Sequence, residues 1–193
     1  MKKLTSLLFI IFFSFTTNVF AEKIKRISEG KQDAKITIIA YESLTCGHCA
    51  DFHKDVYPEL KKDFIDTGLV RIEFRHFPLD IAAFNASKIA HCRNDGKSEI
   101  LNTLYSGQKK WAKGKTPEEA NKNLKKFLLD EGIEVNFEEC LDDKNIEDYV
   151  LNDRIEGVKK FEVNATPTII INEKKFNKAL NYKNLKKYLE KLI

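Results

Sequence analysis

Residues 34–75 change hydrophobic period twice, and that change limits the folds open to this chain more than any other feature of it. The segment Ala34-Lys35-Ile36-Thr37-Ile38-Ile39-Ala40-Tyr41 is β-branched and nearly continuous in apolar character, the pattern of a strand covered on both faces. Residues 46–65 follow as a helix. Phe52, Val56, Leu60 and Phe64 recur at every fourth position on one side of it, and Thr67-Gly68 stops it. Val70, Ile72 and Phe74 then alternate with Arg71, Glu73 and Arg75, as in a half-buried strand. Strand, helix and strand within about 40 residues make a βαβ unit with a right-handed crossover.

Residues 80–161 show helical periodicity alone. Ile81, Phe84, Ala86, Ile89 and Ala90 form one helix. Thr116-Pro117-Glu118-Glu119 opens another, with threonine as N-cap, proline at the first position and glutamate three residues on. Residues 145–161 form a third. Thr168-Ile169-Ile170-Ile171 returns as a strand, Asn172-Glu173-Lys174-Lys175 reads as a turn, and Phe176 begins a short partner strand. Tyr182, Leu185, Tyr188, Leu189 and Leu192 end the chain as an amphipathic helix. The expected organisation is a leader (1–21), the first part of an α/β domain (22–79), an inserted helical domain (80–161) and the second part of the α/β domain (162–193).

The leader reads as a secretory signal peptide. Lys2 and Lys3 precede an uncharged apolar run, and Val19 and Ala21 supply the small residues of a cleavage site before Glu22. An uncleaved anchor fits less well, because Ser14, Thr16, Thr17 and Asn18 break the run short of the roughly 18–20 apolar residues a span needs. No cysteine stands at the cleavage site, which argues against a lipoprotein. Beyond the leader the chain has one domain's length. Without Lys2 and Lys3 it carries 31 basic against 29 acidic side chains, and the lysines are dispersed, so nucleic-acid binding has little support.

All four cysteines, Cys46, Cys49, Cys92 and Cys140, follow the leader, and outside the cytosol thiols tend to pair. Four cysteines allow three connectivities. If Cys46 and Cys49 belong together, the other two pair or stay free. Cys46-Gly47-His48-Cys49 sits where the first strand ends and its helix begins. Residues three apart on a helix have Cβ atoms about 5–6 Å apart, within adjustment range of a disulfide. A sulfur in the first turn meets unsatisfied N–H groups and the positive end of the helix dipole, which favour thiolate. Cys46 is therefore the expected nucleophile and Cys49 the shielded, resolving thiol. An imidazolium at His48 would add positive charge beside Cys46. His53 is expected to pack beside the helix, His76 and His91 to be ordinary surface or edge residues, and Trp111 with Lys109 and Lys110 to belong to a helix end.

Metal readings are weaker. Zinc needs two ligands beyond Cys46 and Cys49, and His91, Cys92 and Cys140 lie in the helical block, not opposite the motif. Copper favours thioethers, and the one methionine is Met1. Thr166-Pro167 precedes a strand, where an ordinary trans proline is tolerated.

The segments Ser43-Leu44-Thr45-Cys46-Gly47-His48-Cys49, Phe77-Pro78-Leu79-Asp80 and Ala165-Thr166-Pro167-Thr168 together resemble the DsbA-like branch of the thioredoxin superfamily, most closely its alphaproteobacterial type. The resemblance covers nearly all of residues 35–193. It implies a thioredoxin fold with an inserted helical domain, and dithiol–disulfide exchange through Cys46 and Cys49 without cofactor or metal. It places a cis Pro167 opposite the motif, with the Thr166 backbone free to pair with a substrate strand. It implies a monomeric periplasmic oxidase of unfolded exported proteins, reoxidised by a membrane quinone-linked (DsbB-like) thiol oxidase. It also implies a second, structural disulfide between Cys92 and Cys140.

The sequence departs from the family in one place: the acid often found six positions before the first cysteine is replaced by Glu42, two residues nearer. Positions two apart on a strand share a face, so Glu42 is a candidate proton relay near Cys49; a solvated glutamate at a strand end is the alternative. Gly47-His48 is also the central dipeptide of protein disulfide isomerase, whose potential of about −180 mV lies below the about −120 mV of DsbA. An isomerase or reductase of the same fold is therefore the second expectation. A dimeric one normally carries an appended dimerisation segment, and only about a dozen residues lie between the leader and the first expected strand.

Overall fold

The computed structural model describes residues 23–193; the signal peptide and cleavage site expected from the sequence lie outside the described residues. Among the described residues the core is a sheet of order β1-β3-β2-β4-β5. β2 (Ile36–Glu42) and β3 (Val70–His76) are parallel, with Ile38 opposite Ile72 and Glu42 opposite His76. β4 (Thr168–Ile171) runs antiparallel to β2 on its other side, and β5 (Lys174–Lys175) pairs antiparallel with β4. Ile36, Ile38, Ile72, Phe74, Ile169 and Ile171 are buried within the main core. The βαβ, helical insertion, ββα order expected from the sequence is the one observed.

Three local details differ from expectation. A two-residue strand, β1 (Ser28–Glu29), pairs antiparallel with β3 ahead of the first expected strand. The single helix expected over residues 46–65 is three pieces: α1 (Gly47–Asp55), α2 (Tyr57–Leu60) and a π-type turn over Lys61–Ile65. Pro58 lacks the N–H that would continue the ladder, so the break falls just before it. Phe52, Val56, Leu60 and Phe64 nevertheless all face the core. The turn after β4 is two residues long, since Asn172 and Glu173 both have positive φ (45° and 64°). That suits a tight hairpin between twisted strands, so Lys174 and Lys175 form the strand and Phe176 lies just past it.

The insertion runs from α3 (Ile81–Ala90) through α4 (Glu99–Ser106), α5 (Gln108–Trp111), α6 (Pro117–Asp130) and α7 (Phe137–Asp142) to α8 (Lys144–Phe161). Thr116 caps α6, its hydroxyl accepting from the Glu119 N–H. Cys92, just after α3, is joined by a disulfide to Cys140 of α7 across 5.4 Å between Cα atoms. α8 packs back over the sheet at Gly157, where a Cβ would come within 2.8 Å of the Tyr41 ring. α9 (Tyr182–Leu189) closes the chain.

His76 and His91 are not surface residues. Both are buried, with their Nε2 atoms 2.9 Å apart. The His76 N–H donates to Asp153 of α8, and Arg26 donates to both oxygens of the same carboxylate, at 2.5 and 2.6 Å. Burial pushes the His76 imidazole down to about 3 and His91 well below its ordinary value, so both rings are neutral and one donates to the other. The pair pins the end of β3 to the insertion.

Candidate active site

Cys46 is the N-cap residue of α1, in extended backbone conformation, with its own N–H bonded to the Ser43 carbonyl at 3.0 Å. Cys46 is partly exposed and Cys49, one turn in, is fully buried. A hydrogen bond from the Cys49 thiol does most to favour the Cys46 thiolate. Burial opposes it; the Thr166 side chain and the backbone N–H groups of Cys49 and His48 assist. The result holds Cys46 at about 5. Burial pushes the Cys49 thiol far up, and its role as donor to Cys46 and the Glu42 charge push the same way. One sulfur is thus ionised at neutral pH and the other is not.

The Thr166–Pro167 peptide is cis, and it lies against the motif: Cys46 Sγ is 3.4 Å from the Thr166 carbonyl oxygen. Gly47 has open space where a Cβ would stand, so the motif's outer face is uncrowded. The His48 side chain is 87 % exposed with Nδ1 3.7 Å from Asp51, and the contact through which His48 supports Cys46 in this geometry is its backbone N–H.

The insertion holds the motif's loop in place. Gln108 Nε2 donates to the carbonyls of Leu44 and Cys46, both at 2.9 Å. Thr45 Oγ1 donates to Asp80 at 2.7 Å, and the other oxygen of that carboxylate caps α3 through the Ala83 N–H. The Leu79 N–H donates to Ser43 Oγ. Gln108 carries no sequence signal for this role; its two acceptors lie more than 60 residues away.

Glu42 is not solvated. It ends β2 at 3 % exposure, with Oε2 2.9 Å from His53 Nε2. His53 is stacked on Tyr105 at 3.9 Å between centroids. Sequence periodicity placed His53 beside the helix but gave no hint of its partner. A cleft of about 950 Å³ runs between α1 and the α4–α5 segment, lined by Gly47, Ala50, His53, Tyr57, Tyr105 and Gln108 among others. Cys92 and Cys140, tied to each other, are not available as ligands to the motif.

The family model described as Thioredoxin matches residues 22–191. The chain belongs to the thioredoxin family. Within that family it is DsbA-like. The crystal structure of Wolbachia pipientis alpha-DsbA1 superposes with a TM-score of 0.77 at 28 % identity, covering 86 % of this chain and 90 % of that one. A putative protein-disulfide oxidoreductase of Rickettsia bellii is 28 % identical over 150 residues, 74 % of this chain and 55 % of that protein. Disulfide bond formation protein D of Bacillus subtilis is 26 % identical over 183 residues, covering 84 % of this chain and 74 % of its own length. This thioredoxin-family chain thus spans about half the length of the Rickettsia bellii protein and about a third of others from that genus.

Proposed function

We propose that the protein is a thiol–disulfide oxidoreductase that introduces disulfide bonds into exported proteins of the periplasm. The observation that carries this reading is the pairing of an ionised, accessible Cys46 with a buried, un-ionised Cys49 against the Thr166–Pro167 turn. In the disulfide form, a substrate thiolate attacks Cys46 Sγ and Cys49 leaves with the electron pair of the broken S–S bond. A second substrate thiolate then attacks the mixed disulfide at the substrate sulfur, and Cys46 leaves as its favoured thiolate. Two electrons pass from substrate to enzyme, and the substrate gains the disulfide. Stabilising Cys46 as an anion favours the reduced enzyme, and so makes the disulfide an oxidant. Reoxidation falls to a membrane quinone-linked thiol oxidase of the DsbB kind.

Replacing Cys49 with alanine removes the resolving thiol, so Cys49→Ala should accumulate mixed disulfides with cysteine-containing proteins and Cys46→Ala should accumulate none. Equal trapping by both variants would overturn the assignment. Equilibration of the wild type with glutathione buffers then separates oxidase from isomerase. A potential near the DsbA value of about −120 mV supports the oxidase, and one at or below about −180 mV the isomerase.

A further inference from the structure

Beneath the Cys46–Cys49 turn, three elements bring titratable groups together. Glu42 comes from β2, His53 from α1 and Tyr105 from α4. The Glu42 and His53 side chains are 3 % and 5 % exposed and share the 2.9 Å contact between Oε2 and Nε2. The other polar atom of each side chain, Glu42 Oε1 and His53 Nδ1, is buried with no hydrogen-bond partner. Two buried orphan atoms on one pair are costly, and native structures keep such atoms where they have work. The ring is fixed between aromatic neighbours: stacked on Tyr105, with Phe52, Tyr57 and Phe74 at 5.4–5.5 Å between centroids. Its chemistry is therefore confined to its two in-plane nitrogens. One meets Glu42, whose charge bears on Cys49; His53 also lines the cleft, as do Lys54 and Lys109.

We propose that His53 carries protons between the cleft and Cys49 by way of Glu42. The proposal rests on the oxidoreductase reading. In the disulfide form the pair holds a proton on Glu42 Oε1 and another on His53 Nε2, donated to Oε2. A substrate thiolate attacks Cys46, the Cys46–Cys49 bond breaks, and the electron pair departs on Cys49 in a site that penalises charge. The Cys49 thiolate takes the Oε1 proton and becomes a thiol. Glu42 is left a carboxylate bound to Nε2–H, and Nδ1 takes up one proton from the solvent of the cleft. The pair is again neutral overall. One proton has entered from solvent and one has reached Cys49; the reverse reaction returns it by the same route. The other titratable groups around the ring are Tyr105 from α4 and Tyr57 from α2, with Glu29 beside Tyr57, and Asp51 and Lys54 at the cleft on α1. Burial pushes both tyrosines up, so they stay neutral.

The test is single-turnover reduction of the oxidised protein by a cysteine peptide, followed from acid to alkaline pH. His53→Gln keeps a donor toward Glu42 but cannot carry a proton. It should react about 10²-fold more slowly at neutral pH, the lower end of the usual gain from a positioned acid or base, and should recover toward the wild type as pH falls. His53→Ala should regain rate when free imidazole is added, which a merely structural role would not allow. A wild-type rate and pH profile in His53→Gln overturns the proposal, as does a folded His53→Ala indifferent to imidazole. Should both variants fail to fold, histidine NMR of the wild type decides. The His53 ring must change protonation between oxidised and reduced protein at one pH, and a ring blind to redox state overturns the proposal. Cys46→Ser separates the two claims. If it reacts like the wild type, the oxidoreductase reading itself falls; if it is inert while His53→Gln is fully active, only the proton path falls.

Discussion

Cys46 Sγ and the carbonyl oxygen of Thr166 lie 3.4 Å apart although 120 residues separate them in sequence. The closing turn of the sheet is thereby part of the nucleophile's environment. The Thr166 hydroxyl is buried with no hydrogen-bond partner, and the Thr166 side chain is one of the groups that hold Cys46 at about 5. Thr166→Val removes that donor and keeps the shape, so it should raise the Cys46 pKa by on the order of one unit. His48→Ala should raise it less, because the exposed ring faces water and Asp51. Thiolate ultraviolet absorbance followed against pH measures both. A larger shift in His48→Ala would return the imidazole to the role its place in the motif suggested.

The same ionisation sets a pH dependence. Cys46 is depressed to about 5 from a thiol's ordinary value, so its stabilisation is complete above that ordinary value and is lost as pH falls through about 5. The oxidised protein has no thiolate to lose. The difference in unfolding free energy between reduced and oxidised forms should therefore move toward the oxidised form on acidification. Cys46 is partly exposed and solvent screens the effect, so the gain at neutral pH should be about 1–2 kcal/mol, or about 20–40 mV toward oxidising. Urea titrations of both forms at neutral and acid pH check it.

Removing the Cys92–Cys140 bridge should cost stability and spare the chemistry. The bond closes a loop with a sequence separation of 48, for which chain entropy gives roughly 4 kcal/mol as the ideal value. The double variant Cys92→Ala/Cys140→Ala should lose about 2–4 kcal/mol by chemical denaturation and keep the wild-type Cys46 titration. Two free thiols on the denatured, oxidised wild type would contradict the bridge.

Gln108→Ala should act at the motif from a distance. It strips the donor from the Leu44 and Cys46 carbonyls, at a cost of about 1–3 kcal/mol for a buried pair left without partners. Hydrogen exchange at the amides of residues 44–49 should rise while exchange in β2 and β3 stays slow. Unchanged exchange across the motif would remove Gln108 from this role.

What was legible in the sequence came from local periodicity and local chemistry. The alternation at Val70, Ile72 and Phe74 gave β3, the Thr116 capping pattern gave the start of α6, and the strand-to-helix change located Cys46 at a helix N-terminus. What was hidden depended on distant partners. β1 is too short to show a period and exists by pairing with β3. The burial of His76 and His91 depends on Asp153 and Arg26, far along the chain in both directions. Glu42 and His53 are close in sequence, yet a strand, a turn and a helix must fold before their side chains meet.

Under the proposed function, the bridge between Cys92 and Cys140 makes the protein a client of its own trade. Joining those two sulfurs withdraws two electrons from a freshly made chain, which must find an acceptor before its helical insertion is fastened. Under the proposed function, a mature copy is a competent acceptor. Each finished molecule can then complete the next, and the population should ripen in a self-accelerating way, slow in its first copies and faster as they accumulate.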